Sequence, residues 1–229
     1  MKTMKFNDIY IRTKEDLIEA VRAYGFVPFF KNTIPGFSVA EHIDPAVWSP
    51  DEGEGIWEWK GPVIRESGCA YGKFFRGKAV FVSAEWFPDF ANLRRGGLTF
   101  DETYDFGLIP YAEKTLYDIL KQRGPITSGE LKFLAGYGKE AKKGFDPLIA
   151  KLQHRCFALI SDFVYQRDKY GLPYGWGVAQ FSTPEQVFGD DFADLAMDAG
   201  VDASYAKIMD HLTAILPGVP EASILKLIK

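Results

Sequence analysis

Cysteine and histidine are scarce in this chain of 229 residues, which has two cysteines and three histidines. Cys69 and Cys156 lie far apart without paired spacing, so the sequence predicts neither a disulfide framework nor a zinc cluster. We expect two reduced thiols in the core. His42, His154 and His211 show no metal-ligand spacing. We therefore expect no metal and no cofactor.

Long apolar runs and a positive overall charge are also missing. No stretch approaches the roughly 20 consecutive apolar residues that a membrane helix needs, and the charged N-terminus is unlike a signal peptide. We expect a cytoplasmic protein without a membrane partner. The formal net charge is -4, which by itself is atypical of a nucleic-acid-binding protein. With 47% hydrophobic residues, the chain can bury a sizeable core.

The charges are unevenly distributed along the chain. Residues 121–180 contain ten Lys or Arg and five acids, and residues 65–95 contain six Lys or Arg and three acids. From residue 181 onward, eight acids meet three lysines. Phosphate binding depends on a local basic face rather than on the charge of the whole chain. The basic segments therefore favour DNA as a partner, with ordinary solvated helix faces as the alternative.

Residues 109–190 have the pattern of a winged helix, which is three helices followed by a β-hairpin wing. Thr127 and Glu130 have the spacing of a capping box, so a helix begins near Ser128. Asp146 followed by Pro147 predicts the start of the next helix. Two strand-like runs then enclose a turn rich in glycine and proline, and we place the wing at residues 169–175.

The predicted fold class is α+β, with this winged helix packed against a smaller hairpin-and-helix unit and C-terminal helices. We expect an N-terminal α+β part at residues 1–108, with an aromatic-rich hairpin and helix. The winged-helix domain at 109–190 is followed by a helical extension at 191–229. Thr13, Ser38 and Thr183 predict further helix starts, whereas the turn formers of residues 96–111 predict a linking loop.

Positive and aromatic side chains of the predicted winged helix are the candidates for nucleic-acid binding. Lys, Arg and His contact phosphates, and an exposed Tyr can stack on a base. The candidates are Lys142, Lys143, Lys151, His154, Arg155, Arg167, Lys169 and Tyr170.

A second candidate site is an aromatic pocket formed by Trp57, Trp59 and Tyr71. On an extended strand, Trp57 and Trp59 would share one face, where a base could stack. The alternative is a tryptophan-rich core. The spacing of residues 72–78 resembles a phosphate-binding loop, but Ala79 stands where a magnesium-binding Ser or Thr is needed, so we reject that interpretation.

Three segments occur together in an order known from one family: Trp57-Glu58-Trp59, the run AVFVSAEWFPDFANLRR at residues 79–95, and GPITSGEL continued through the wing to FSTPEQVFG. Over residues 56–190 the chain resembles the AlkZ-type (YcaQ-like) winged-helix DNA glycosylases, and more closely the short AlkZ-related proteins. The resemblance implies a DNA partner and a role in DNA repair.

The resemblance also defines what a catalytic site would contain. The family's glycosylases extrude a damaged base and cut its glycosidic bond, with a Gln-hydrophobic-Gln or Gln-hydrophobic-Asp motif that positions water. This chain has no such motif, and His42-Ile43-Asp44 is the nearest counterpart. Lys60-Gly61-Pro62 stands where the family has a histidine. The catalytic residues are therefore unknown, with Glu58 and Asp44 as weak candidates.

Three functions remain open on the sequence. The first is a DNA-binding winged-helix protein related to the glycosylases, without an assigned reaction. The second is an active glycosylase with a rearranged site, in which Glu58 or Asp44 orients water or steadies positive charge on the sugar. The third is a winged-helix protein-interaction module, whose acidic C-terminal part suits a basic protein partner.

Overall fold

One antiparallel sheet connects the parts of the chain in the computed structural model, which describes residues 5–50, 54–138, 143–171 and 173–229. Its six strands follow the order β1-β3-β2-β5-β6-β4. They are β1 (Phe26–Pro28), β2 (Ala70–Phe75), β3 (Lys78–Val82), β4 (Ile126–Thr127), β5 (Leu159–Arg167) and β6 (Pro173–Ser182).

Helices make up most of the rest of the described chain. A short 3-10 helix, Phe6–Asp8, precedes them. The α-helices are α1 (Lys14–Tyr24), α2 (Val39–His42), α3 (Pro45–Trp48), α4 (Ile56–Ser67), α5 (Phe87–Arg95), α6 (Phe100–Asp105), α7 (Tyr111–Arg123), α8 (Ser128–Leu134), α9 (Phe145–His154), α10 (Pro184–Phe188), α11 (Asp194–Ala199), α12 (Val201–Ile215) and α13 (Glu221–Ile228).

Three predicted capping residues, Thr13, Thr127 and Thr183, begin their helices with the expected hydrogen bonds, and Ser38 precedes α2 without a side-chain cap. Thr127 Oγ1 accepts a hydrogen bond from the Glu130 N–H at 3.3 Å, and the Glu130 carboxylate accepts one from the Thr127 N–H at 3.2 Å. Thr13 and Thr183 form capping boxes of the same kind. Each such cap stabilises a helix by about 1 kcal/mol, so these local signals were reliable guides to helix starts.

The prediction of an extended strand at Trp57–Trp59 is wrong, because these residues lie in the first turn of α4. The Gly55 N–H donates to the Glu58 carboxylate at 3.0 Å, which fixes the helix start. Ile56, Trp59 and Val63 are buried, and their spacing of three and four residues is that of a helix face. The two tryptophans therefore do not share a face.

Two other local predictions need correction. Residues 96–111 are not all loop, because Thr99 and Glu102 form a capping box that starts α6. Helix α9 begins at Phe145, after Gly144 in a left-handed conformation with φ 101°. Asp146 is therefore not its cap, and its carboxylate lies 3.1 Å from the Lys132 ammonium instead.

The sheet continues from the N-terminal hairpin into the predicted winged-helix region through β2 and β5, where Tyr71 pairs with Ile160. The division at residues 108 and 190 stays a prediction. Cys69 and Cys156 are buried free thiols, as expected, and burial raises the pKa of each to about 12. Within the described ranges, no helix is long and apolar enough to cross a membrane.

Candidate nucleic-acid interface

The hairpin of β5 and β6 carries three of the exposed residues that were predicted to bind nucleic acid. The strands pair from Leu159 with Ser182 as far as Arg167 with Pro173, so the turn is shorter than the predicted wing. Arg167, Lys169 and Tyr170 are all exposed beside it. The Arg167 guanidinium donates to the Gly171 carbonyl at 2.7 Å, and the Lys169 ammonium lies 4.8 Å from the centre of the Tyr170 ring.

The same hairpin contains a bulge that the sequence did not reveal. Between the pair Gln166–Tyr174 and the pair Val164–Val178, β5 has one residue and β6 has three. The central one is Trp176, whose side chain is 78% exposed. A bulge bends a strand and redirects its side chains. The pattern Gly-Trp-Gly inside a strand-like run was the available signal, because glycine in a strand often marks such a bulge.

The glycines on each side of Trp176 explain why the chain can take this path. Gly175 has φ 75°, in the left-handed region that favours glycine. A Cβ on Gly177 would lie 2.9 Å from the Tyr165 ring, so only glycine lets the strand approach that ring.

Lys151 of helix α9 and Arg155, the residue that follows this helix, share a buried carboxylate. Glu113 of α7 is completely buried, with its Oε2 3.2 Å from Arg155 Nη1 and its Oε1 3.7 Å from the Lys151 ammonium. Oε1 makes no hydrogen bond to any described residue. Two cations facing one carboxylate leave a positive balance of about one charge on this face.

The hydrogen-bond partner of His154 lies on a different helix. The Nε2 of His154 is 2.8 Å from Nη1 of Arg94, a residue of α5. Burial lowers the pKa of His154 to about 4, helped by the positive charges of Arg94 and Arg155. The ring is neutral at pH 7, so it cannot offer a positive charge to a phosphate there.

The two remaining predicted cations precede α9 in the sequence. Lys143 is exposed. Lys142 lies outside the described residues. The structure therefore brings together Arg167, Lys169 and Tyr170 on the hairpin and, separately, Lys151 and Arg155 at the end of α9.

The three residues of the proposed aromatic pocket lie in the hydrophobic core or at its edge. Trp57 is half-buried and its Nε1 donates to the Trp48 carbonyl at 2.9 Å. Trp59 and Tyr71 are buried, and the Tyr71 ring centre is 4.5 Å from that of Phe81. Burial also raises the pKa of Tyr71. This placement is that of the tryptophan-rich core considered as the alternative.

The two candidate carboxylates occupy different places. Asp44 caps α3, accepting a hydrogen bond from the Ala46 N–H at 2.9 Å. Glu58 lines an open cleft of about 640 Å³ between α4 and the β5–β6 hairpin. The cleft also contains Glu54, the ion pair of Arg65 with Asp162, and Tyr165.

Charged and aromatic groups meet in this cleft. Burial raises the pKa of Tyr165, and the nearby carboxylates of Glu58 and Glu54 raise it further, so its hydroxyl keeps its proton at neutral pH. Asp44 is not among the residues that line the cleft. No group of three or more described His, Cys, Asp or Glu side chains is placed to hold a metal ion.

These features define the class of protein as a mixed α/β protein with a six-stranded antiparallel sheet and an exposed, partly cationic hairpin. Sequence comparison gives the family. The family model described as AlkZ related matches residues 11–229, so the chain belongs to the AlkZ-related family. The match extends well beyond residues 56–190 on both sides, so the resemblance recognised in the sequence was too short. Comparisons with curated proteins and with solved structures found no match.

Proposed function

We propose that the chain binds DNA through a winged helix formed by residues 109–190. The order of elements supports it: α7, the short strand β4, α8, α9, and then the hairpin of β5 and β6. Strand β4 pairs with β6 through Ile126 and Phe181, which completes a three-stranded unit beside three helices. Membership of the AlkZ-related family favours the same partner.

The observation that carries the proposal is the exposed cationic hairpin. In a winged helix, one helix meets a groove of the duplex and the wing lies along the phosphates. Here α9 is the helix for the groove, with Lys151 toward its C-terminal end and Arg155 directly after it. Arg167 and Lys169 on the hairpin are the phosphate contacts.

A salt titration of duplex binding tests this arrangement. Each phosphate contact that is lost lowers the salt slope by about one unit and weakens binding to all sequences alike. Arg167→Gln combined with Lys169→Gln is expected to lower the slope by up to about two units. Both side chains are exposed, so the variant should stay folded.

A charge-matched variant serves as the control. Lys73→Gln combined with Lys226→Gln also removes two exposed positive charges, but from β2 and α13. An equal fall in slope for the two double variants would mean that net charge, rather than the wing, governs binding. Absence of salt-dependent binding by the wild type would favour a protein-interaction module instead.

A second candidate function is base excision at the cleft beside Glu58. The family resemblance suggests it, and the position of Glu58 on the cleft wall is the structural observation in its favour. A carboxylate there would face positive charge developing on the sugar or would accept a proton from attacking water. This reaction needs no cofactor.

Glu58→Gln tests the excision proposal with little structural disturbance. A glutamine oxygen can still accept the Gly55 N–H, so the cap of α4 is kept while the negative charge is lost. Excision of alkylated bases by the wild type, together with a stable but inactive variant, would support a catalytic carboxylate. If the wild type excises no base from the lesions tested, the binding function stands alone.

A further inference from the structure

The β5–β6 hairpin exposes an unusual number of large aromatic side chains. Tyr170 is 75% exposed, Tyr174 is 52% exposed and Trp176 is 78% exposed. Single exposed apolar residues are ordinary, but three large rings exposed on one hairpin mark an interaction site. We infer that this hairpin stacks on unpaired bases, so that the preferred ligand is DNA with single-stranded or locally opened nucleotides. The inference rests on the proposed DNA-binding function.

The bulge in β6 is the feature that favours stacking over a passive surface. It places three residues of β6 opposite one of β5 and leaves the Trp176 indole outside the core. In a regular strand, successive side chains point to opposite faces of the sheet. The bulge interrupts this alternation at Trp176. Gly175 and Gly177 accommodate this bulge, as their conformation and close contacts indicate.

The cations on the hairpin identify the partner as a nucleic acid. Arg167 and Lys169 are exposed near the same turn, so a backbone phosphate bound there would hold neighbouring bases close to the aromatic rings. Proteins that bind single strands combine cationic contacts to phosphates with aromatic platforms for the bases. A purely apolar partner would leave these two charges unused.

In an intact duplex, the faces of the bases are not accessible to the aromatic rings. The bases are stacked on one another, and opening them costs a few kcal/mol unless they are mismatched, damaged or already unpaired. The rings should therefore add little to duplex binding and much more to binding of an opened strand.

Tryptophan fluorescence gives a direct test, because the five tryptophans differ in exposure. Trp176 is exposed, whereas Trp48, Trp57 and Trp86 are half-buried and Trp59 is buried. Acrylamide quenching should therefore report chiefly on Trp176. A single-stranded oligothymidylate should shield it from the quencher, whereas an intact duplex of equal length should shield it much less.

The affinity of the wild type and of each variant is measured for three DNAs: single-stranded oligothymidylate, an intact duplex and the same duplex with an unpaired loop. Trp176→Ala should lose about 5- to 100-fold in affinity for the single strand and the looped duplex, as expected for one lost stack. Its affinity for the intact duplex should hardly change. Trp176→Phe keeps an aromatic face and should recover most of the loss.

Several outcomes would overturn the inference. If Trp176→Ala binds each of the three DNAs as tightly as the wild type does, the stacking inference fails and the proposed DNA binding stands. Failure of the wild type to bind any of them would instead remove the proposed function itself. A wild-type dimer that becomes monomeric in Trp176→Ala would assign the rings to a contact between copies of the chain.

Discussion

The two long hairpins of the sheet have similar compositions and opposite surroundings. The hairpin of β2 and β3 buries Tyr71, Phe74, Phe75 and Phe81, whereas the outer half of the β5–β6 hairpin exposes Tyr170, Tyr174 and Trp176. The first lies inside the sheet, between β1 and β5, with helices packed against it. The outer half of the second hairpin extends past its pairing with β2 and β4. Aromatic content therefore says little about function until the covering elements are known.

The largest expected effect comes from truncating one ring in each hairpin. Phe81→Ala should lower the free energy of unfolding by about 3 to 5 kcal/mol, because a fully buried ring leaves a cavity. Trp176→Ala should change it by less than about 0.5 kcal/mol. Urea denaturation of both variants measures the contrast. Similar losses would mean that the outer hairpin is packed after all, and the comparison between the hairpins would fail.

A smaller effect concerns pH and the packed end of α9. The pKa of His154 is about 4 in the folded chain, because burial and the charges of Arg94 and Arg155 oppose protonation, although a hydrogen bond with the Lys229 backbone favours it. Its ordinary pKa is about 6.5. The unfolded chain therefore takes up the proton more readily, and stability is lost as the pH falls from about 6.5 to 4.

The contribution of His154 to this loss should be about 1 to 2 kcal/mol once solvent screening of the half-exposed ring is allowed for. Thermal unfolding of wild type and His154→Gln across that pH window measures it. The variant should show a shallower decline, although His211, whose pKa burial also lowers, leaves a background slope. Parallel curves would place His154 outside the packed part of the molecule.

The smallest expected effect comes from the buried Glu113, whose carboxylate pairs with two cations that reach solvent. Glu113→Gln removes the buried carboxylate that Lys151 and Arg155 share. Both cations reach solvent, so they should become available to phosphates and raise the salt slope of duplex binding by up to about one unit.

A matched variant separates this effect from net charge. Asp118→Asn also removes one negative charge from α7, but its carboxylate pairs with Lys114 at 2.6 Å and leaves Glu113 in place. It should change the slope much less than Glu113→Gln. Equal changes would show that the face of α9 has no special part in binding.

Helix starts were the most predictable part of the structure. Thr13, Thr127 and Thr183 each form the local hydrogen bonds that their sequence spacing indicates. Such bonds involve residues only three positions apart, so they need no knowledge of the rest of the chain. Thr99 follows the same rule and was overlooked among the turn formers.

The candidate site was predictable only in part. Charge and turn composition pointed to Arg167, Lys169 and Tyr170, which are exposed as a nucleic-acid contact requires. The partner of Lys151 and Arg155 is Glu113, which lies far away in sequence, and local patterns cannot identify it. Trp176 was also missed, because a bulge depends on how two strands pair.

The sequence by itself determined the helix starts after Thr13, Thr127 and Thr183, the approximate position of the β5–β6 hairpin and membership of the AlkZ-related family, since these follow from short-range hydrogen bonding and the order of residues. Tertiary structure alone decided that Trp57 and Trp59 belong to a helix against the core and that Trp176 faces solvent. The physical reason is that burial depends on which distant elements cover a side chain. An aromatic ring that is covered stabilises the core, whereas one that stays exposed is free to bind a ligand.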